Sequence, residues 1–507
     1  MSTNSVNMSS MLRMSGLASG LDTESIVSSL MKVEQMKLDK LAKQKTRMDW
    51  QSEKNLEVNN LLRAFRDKYL SVTSADNVFA ASSLLANKVT MESSTSLKVS
   101  ASNGAAQGTH TVDFITSIAT GANAASGSAV SADMLSTGTE LGSLALNTTL
   151  DFSGGPISFK INGQTFSFES TATLGDMIRQ VNADETANVT MSYSQLTGKF
   201  SIQNDDLGAD SSLTIENLSG NAFGAGSAFG IDATTYTNGT DAVLRIDGID
   251  VTRDTNSFTI DGITYKLTGT TGTAQQFYVE QDVDGTVKKI KAFVDAYNEL
   301  YTKLDGMVSE HKDYDYEPLT EAQKEEMTDK QIEQWEAKAK QGILANDSYI
   351  NGLLSTMRSS FYQKVEDAGI NANAIGFSTA SYLTKGVINL DETKLRTALT
   401  TNPDQVATLF TEVSDSTDAK TAFAENGLAV RIRDGINKYV NDSNGYRKES
   451  FDDQYDDLED RIDRMEDLIV QREQRYWNQY TALETAIAKM NAQSNWLSSM
   501  LNPSSGN

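Results

Sequence analysis

The chain has 507 residues, 44 of them Lys or Arg against 68 Asp or Glu, and a net charge of −24. It has no Cys and only two His, His110 and His311, which excludes disulfides, thiolate metal sites and thiol nucleophiles and leaves little for a His-based metal centre or a Ser/His/Asp triad. The acidic balance argues against nucleic acid or an anionic membrane as partner, since both select a basic face, and no apolar run of about 18 residues suggests a membrane span.

Residues 1–30 lack the continuous apolar core of a signal peptide, so the chain is expected to be cytoplasmic or exported with its N-terminus uncleaved. Residues 24–78 are charged and free of Gly and Pro, which predicts helix. Within them Leu41, Met48, Leu62 and Tyr69 share one heptad position, broken by Asn55, while Val58, Phe65 and Val72 hold the alternate one.

Residues 80–283 are rich in Gly, Ser, Thr and Asn and read as β. A strand is expected over 109–120. The segment 157–169 alternates around Asn162-Gly163, a hairpin signal. A short helix follows over 172–182, with Leu174, Met177, Ile178 and Val181 on one face. Strand, turn and strand return over 188–204 through Thr197-Gly198, and 242–269 holds two hairpins at Asp247-Gly248 and Asp261-Gly262. The run GAGSAFG (224–230) reads as a flexible Gly/Ser loop without a phosphate-binding Lys. Between 101 and 240 three basic residues face thirteen acidic ones, a surface that repels copies of itself.

Helical signals resume at 286–304, where Val287, Ile290, Phe293, Val294, Tyr297, Leu300 and Tyr301 form one broad face. Thr320 with Gln323, and Thr328 with Gln331, have capping-box spacing. Residues 375–410 read as a short β element followed by a helix, with Pro403 opening the next helix at its first position.

The last helix has the strongest periodicity. Tyr455, Ile462, Ile469, Tyr476, Leu483, Met490 and Leu497 recur at spacing seven, with Phe451, Leu458 and Met465 on the alternate seam. Beyond Met465 that seam becomes Arg472, Gln479 and Ala486, so the packing is expected to change there. At 1.5 Å per residue, 451–500 makes a rod of about 75 Å. Residues 31–70 carry ten basic residues against six acidic, and 451–467 nine acidic against two Arg. Opposite charges beside two apolar seams predict that the N- and C-terminal helices pair; the alternative is two independent amphipathic helices on separate cores.

Asp452, Asp453, Asp456 and Asp457 lack the alternating ligands, central Gly and closing Glu of an EF-hand and read as a solvated helix face. No GxxxxGK[ST], GxSxG, HExxH or GxGxxG occurs. The expected fold class is α+β multidomain: terminal coiled-coil helices and a helical bundle leg, with inserted β-rich head domains. No cofactor, metal or enzymatic activity is expected.

Several stretches resemble the flagellar filament-capping family, also called flagellar hook-associated protein 2. They are MSGLASGLDTESIVSSLMKVEQMKLDKL (14–41), with SGLASGLDTESIV the most specific part, and RYWNQYTALETAIAKMNAQSNWLSSML (475–501). GVINLDETKLRTALTTNPDQVATLF (386–410) and DAVLRIDGIDVTRDTNSFTIDGITYKLTG (241–269) are similar to further motifs of that family. Residues 158–182 resemble a repeat shared by flagellins and hook-associated proteins. The charged stretch 310–341 departs from the family pattern.

The resemblance implies a ring of identical subunits, usually a pentamer, at the filament tip, promoting flagellin insertion beneath it. It further implies secretion through the flagellar type III export apparatus and a cytoplasmic export chaperone on the C-terminal helix. The expected division is 1–42 with 455–507 as terminal helical assembly segments and 43–79 with 284–454 as the helical leg. It continues with 80–118 and 240–283 as a β-rich head domain, and 119–239 as a second head domain inserted in the first. The expected leg seam comprises Leu41, Met48, Leu62, Phe65, Tyr69, Tyr455, Leu458, Ile462, Met465 and Ile469. Contacts to subunits, filament or chaperone are expected from Leu17, Leu21, Ile26, Leu30, Tyr476, Leu483, Met490, Trp496 and Leu497. The outer parts, 14–40 and Tyr476 to Leu497, are expected to gain order only on assembly. Two other readings stand beside the cap: another hook-associated junction protein, and a head that adheres to host mucus or cell surfaces.

Overall fold

The computed structural model describes residues 19–232, 234–379, 386–444 and 446–501. The chain divides into two compact units, Met1–Ala81 with Val287–Asn507, and Ser82–Thr286.

Helix α1 (Thr23–Tyr69) opens the first unit, capped by Asp22, whose carboxylate accepts from the Ser25 amide at 2.9 Å. It stops at Leu70, short of the expected residue 78, because Ser71, Thr73 and Ser74 offer the backbone turn contacts instead. Val72 therefore lies outside the helix and is exposed rather than seated in a seam.

The second unit opens with a single turn, α2 (Ala81–Leu84). Its strands in chain order are β1 (Asn87–Met91), β2 (Leu97–Ala101), β3 (Gly108–Ser117), β4 (Gly121–Ala125), β5 (Ile157–Ile161), β6 (Gln164–Phe168), β7 (Val189–Ser194), β8 (Lys199–Leu207), β9 (Ile215–Ser219), β10 (Ala242–Ile246), β11 (Ile249–Arg253), β12 (Ser257–Ile260), β13 (Ile263–Leu267) and β14 (Gln275–Gln281). Helix α3 (Leu174–Asn182), capped by Thr173, sits between β6 and β7. A five-stranded antiparallel sheet, β1-β14-β3-β10-β11, and a three-stranded one, β12-β13-β2, enclose one core that includes Leu97, Val112, Leu244, Tyr265 and Phe277. Two more three-stranded sheets, β4-β8-β7 and β6-β5-β9, enclose with α3 a second core including Phe159, Met177, Phe200 and Phe229. Residues of that second core run from Ala122 to Ile231, between the two halves of the first.

Each of three tight hairpins turns on a residue pair with both φ positive: Asn162-Gly163, Asp247-Gly248 and Asp261-Gly262. That is the conformation a two-residue hairpin matched to the strand twist requires. The run 224–230 is packed, not a free loop. Phe229 is fully buried with its ring 4.6 Å from that of Phe200, and its carbonyl accepts from Ser126 Oγ at 2.7 Å. One Phe anchoring a Gly-rich run is enough to order it.

The first unit resumes with α4 (Val283–Ser309), whose expected apolar face is buried from Val287 to Tyr301. Helices α5 (Glu321–Glu325) and α6 (Asp329–Ala339) start at the capping boxes of Thr320 and Thr328. Then come α7 (Ser348–Tyr362), a small hairpin of β15 (Phe377–Thr379) and β16 (Ile388–Leu390), α8 (Glu392–Thr401), α9 (Pro403–Thr411), α10 (Ala419–Glu425), α11 (Leu428–Asn444) and α12 (Tyr446–Leu501). A relay of rings threads this core. Phe65 lies 5.7 Å from Phe293, Phe293 6.4 Å from Phe410, Phe410 6.0 Å from Phe377, and Phe377 5.3 Å from Phe361.

Arg431, on α11, is 1% exposed and sits among carbonyls. Its Nε donates to Phe423 O at 2.6 Å, Nη1 to Ser360 O at 3.2 Å and Gln363 O at 2.7 Å, and Nη2 to Lys364 O at 2.9 Å and Ala424 O at 2.8 Å. These are the orphan carbonyls at the C-terminal ends of α7 and α10, where helix dipoles favour a cation. Burial pushes its pKa down to about 10, which leaves it charged at neutral pH.

Candidate functional site: the paired terminal helices

Helices α1 and α12 run antiparallel, and their polar contacts set the register. Lys45 pairs with Glu459 at 2.6 Å and lies 5.4 Å from the Tyr455 ring. One turn further along α1, Asp49 faces Tyr455. Toward the chain ends Glu34 pairs with Arg472, and the Ser19 amide donates to Glu484 at 3.3 Å. Moving forward along α1 means moving back along α12 by a similar number of residues.

The apolar part of this seam is thin. Leu41 and Leu458 are buried, whereas Met48, Tyr455, Ile462, Met465 and Ile469 are half-buried. Two helices cannot enclose a row of side chains as a bundle does. Leu62, Phe65 and Tyr69 continue the two heptad positions but do not meet α12. By that point in the register α12 has given way to α11: Ser443 Oγ donates to Asn59 Oδ1 at 2.8 Å, and Arg66 Nη1 to Asn437 Oδ1 at 3.2 Å. Phe65 and Tyr69 instead put their rings 5.7 and 6.1 Å from Phe293 of α4. Those three residues belong to the bundle core, not to a two-helix seam.

Charge complementarity takes a different form from the expected one. Among the described residues two ion pairs cross between α1 and α12, Lys45–Glu459 and Glu34–Arg472, and the second has the acid on the N-terminal helix. The Glu459 hydrogen bond holds the Lys45 pKa above its usual range. Glu34 is buried; hydrogen bonding to Lys37, helped by Arg472, holds its carboxyl below the usual range. Other members of the two charged runs are satisfied elsewhere. Lys43 pairs with Glu317 at 3.1 Å, and Asp452 with Lys448 at 2.6 Å. Arg472 interrupts the apolar seam, and its acid partner at Glu34 was the signal that sequence reading passed over.

The 310–341 stretch lies against the opposite side of α1. Lys340 pairs with Glu53 at 3.6 Å and covers the Trp50 ring at 5.2 Å, while Trp335 Nε1 donates to Glu317 O at 2.8 Å.

Of the residues expected to make outward contacts, Leu17 lies outside the described residues. Ile26 and Tyr476 are half-buried, and Leu21 and Leu30 are exposed. On α12, Leu483 is 41% exposed, Met490 64%, Trp496 57% and Leu497 54%. Every residue from 491 to 500 is exposed, although the helix continues to Leu501. Among the described residues nothing encloses this apolar helical end, and exposed apolar patches of this kind are candidates for association. No helix among the described residues is long and apolar enough to cross a membrane, and none of their His, Asp and Glu side chains form a group able to hold a metal ion.

Residues 239–492 match the family model for the C-terminus of flagellar hook-associated protein 2, and 19–122 the model for its N-terminus. The stretch between the two matches coincides with the second head core. A flagellar hook-associated protein 2 of Halalkalibacterium halodurans is 31% identical over 539 residues, covering 95% of this chain and 98% of that protein. One of Thermotoga maritima is 28% identical over 408 residues, covering 76% of this chain and 61% of the other. The solved D1-D2-D3 domains of the flagellar cap protein FliD from Escherichia coli share the fold at 17% identity, with a TM-score of 0.51, covering 78% of this chain and 98% of that one.

Proposed function

The chain belongs to the flagellar hook-associated protein 2 family, and from that premise we propose that the exposed end of α12 is the surface through which it assembles. The protein is a structural cap at the distal tip of the bacterial flagellar filament. It is exported by the flagellar system, and as a homo-oligomeric ring it promotes flagellin polymerisation and filament elongation. The family supports this reading over another hook-associated junction protein.

The observation that carries the proposal is the row Leu483, Met490, Trp496, Leu497 and Met500, each about half exposed on one helix. Fully burying a large apolar side chain contributes about 1.5–3 kcal/mol, so finishing the burial of five half-exposed ones gains roughly 4–8 kcal/mol. Bringing two molecules together costs about 4–15 kcal/mol. A single helix-to-helix contact is therefore near balance, and stable assembly needs several subunits to close at once, as in a ring or on a filament end. The work done is burial, without a catalytic step.

The finer parts of the proposal are a pentameric ring, a chaperone that covers the α12 end before export, and a head free to touch mucus or host cells. The division at 42/43, 79/80, 118/119, 239/240, 283/284 and 454/455 is likewise our proposal; the first and last of these borders fall inside the unbroken helices α1 and α12. The test replaces Met490, Trp496 and Leu497 with Asp in the full chain. The expected variant has the wild-type circular dichroism spectrum, is secreted, forms no rings by electron microscopy and does not restore filaments to cells lacking the cap. Normal rings and filaments from that variant would overturn the assignment. Counting subunits in wild-type rings, co-purifying the chaperone with and without the substitutions, and measuring mucin binding by the whole protein test the remaining parts.

A further inference from the structure

We propose that His110 is a protonation-dependent latch, which as an imidazolium ties both the loop 102–107 and the Asp247-Gly248 turn to strand β3 and gives up one of the two ties when it loses its proton. The geometry requires the charged form. Nδ1 lies 2.9 Å from Asp247 Oδ2 and Nε2 lies 3.0 Å from the Ala106 carbonyl oxygen. Both neighbours only accept hydrogen bonds. A neutral imidazole has one N–H, so it would set a ring lone pair against one of these oxygens; the imidazolium donates to both.

What the ring holds is itself a knot. The second oxygen of Asp247 accepts from the Thr111 amide at 2.7 Å, and the Gly248 amide donates to Asp113 Oδ2 at 2.9 Å. On the other side, loop 102–107 is tied to the β12–β13 turn: the Ser102 amide donates to Gly262 O at 2.9 Å, and that of Ala106 to Asp261 O at 3.4 Å. A Cβ at Gly262 would come within 2.9 Å of the Ala105 backbone, so the loop sits hard against that turn. One side chain thus joins the end of the five-stranded sheet to the end of the three-stranded sheet β12-β13-β2.

The charged and titratable groups around it are acidic on every side but one. Asp247 comes from the β10–β11 turn, Asp261 from the β12–β13 turn, and Asp113 from β3; Arg245 of β10 turns to Gly248 O at 2.9 Å. Tyr265 of β13, its pKa pushed up to about 12 by burial and by Asp247 and Asp261, stays neutral. Strand β14 offers only the face of Phe277, whose ring is 5.5 Å away. Burial pulls the His110 pKa down, but the Asp247 hydrogen bond, the Ala106 carbonyl and the charges of Asp247 and Asp261 outweigh it, and the net shift is upward. A raised folded-state pKa means that the latch contributes in full below the ordinary value of 6.5 and is lost as pH rises through the folded value.

The chain has two His, so His311→Gln leaves a single imidazole to follow by NMR in the full-length protein. The expected result is a titration of His110 above 6.5, with both ring nitrogens protonated below it. Amide exchange at Ala106, Thr111 and Gly248, corrected for intrinsic rates, should speed up by as much as about tenfold per pH unit between the unfolded and folded values. His110→Gln should abolish that dependence. Asp247→Asn, which keeps an acceptor for Thr111, should move the His110 titration down and guards against a His110→Gln variant that fails to fold. Titration of His110 at or below 6.5, or exchange with the same pH dependence in wild type and His110→Gln, would overturn the latch.

Discussion

Arg431→Met keeps the length and apolar stem of the side chain and deletes its donors. The guanidinium satisfies five carbonyls that close α7 and α10. Each charge-assisted hydrogen bond is worth about 1.5–3 kcal/mol net, and a plain sum over five would exceed what one substitution removes, because the freed carbonyls relax and part of the original gain is offset by the cost of burying the cation. Breaking a buried charged network costs about 3–5 kcal/mol, and the Met stem still packs on Phe423, whose ring Arg431 now covers at 5.0 Å. We expect a loss of about 3–5 kcal/mol, with Arg431→Lys between wild type and Met. The assay is urea unfolding followed at 222 nm, where the helical unit dominates the signal. The first unit should melt at lower urea while the β-rich second unit keeps its midpoint. A midpoint for Arg431→Met equal to or above that of wild type would refute the reasoning, since it would mean that desolvation of the cation outweighs the five carbonyls.

Leu458→Asp should cost the α1–α12 pair several kcal/mol through a buried, unpaired charge, and Ile462→Asp clearly less, because Leu458 is buried and Ile462 half-buried; equal losses in urea unfolding would contradict the seam described. Tyr297 buries its hydroxyl with no partner among the described residues, so Tyr297→Phe should leave the fold intact and raise stability by about 1 kcal/mol, read as a higher melting temperature. Lys45→Ala should lower stability by no more than about 1 kcal/mol, with the difference vanishing at high salt, since its pair with Glu459 is half exposed.

Features governed by local chemistry were legible in the sequence. Asn162-Gly163, Asp247-Gly248 and Asp261-Gly262 announce hairpins because few residues tolerate positive φ. Thr320, Thr328 and Pro403 mark helix starts because the exposed first-turn amides need such partners or none. Features governed by partner choice were not. The heptad of Leu62, Phe65 and Tyr69 looks the same whether α12 or Phe293 covers it. Nothing around Arg431 in the chain shows that it would be buried, because three of its five acceptors, the carbonyls of Ser360, Gln363 and Lys364, lie 67 to 71 residues away. Arg472 reads as an interruption of a seam until Glu34 is found opposite. Phe229 reads as part of a loop until Phe200 is found beside it.

The contact between Ser19 and Glu484 joins positions 465 residues apart, and this separation dictates an order of events. Closing so long a loop in an unfolded chain costs about 5 kcal/mol in entropy alone. As the chain is synthesised, α1 is complete long before α12 exists, so the face of α1 that carries Leu41 and Lys45 waits for its partner. The β-rich unit has no such delay: β1 pairs with β14 and brings residues 87 and 281 together, so once it folds, the two hundred residues between them become a short bridge, and because closure entropy grows only with the logarithm of loop length this trims the cost by about 0.5 kcal/mol. The pairing of the terminal helices has to wait for α12, so the surface proposed for assembly lies on the last helix of the described chain to be made.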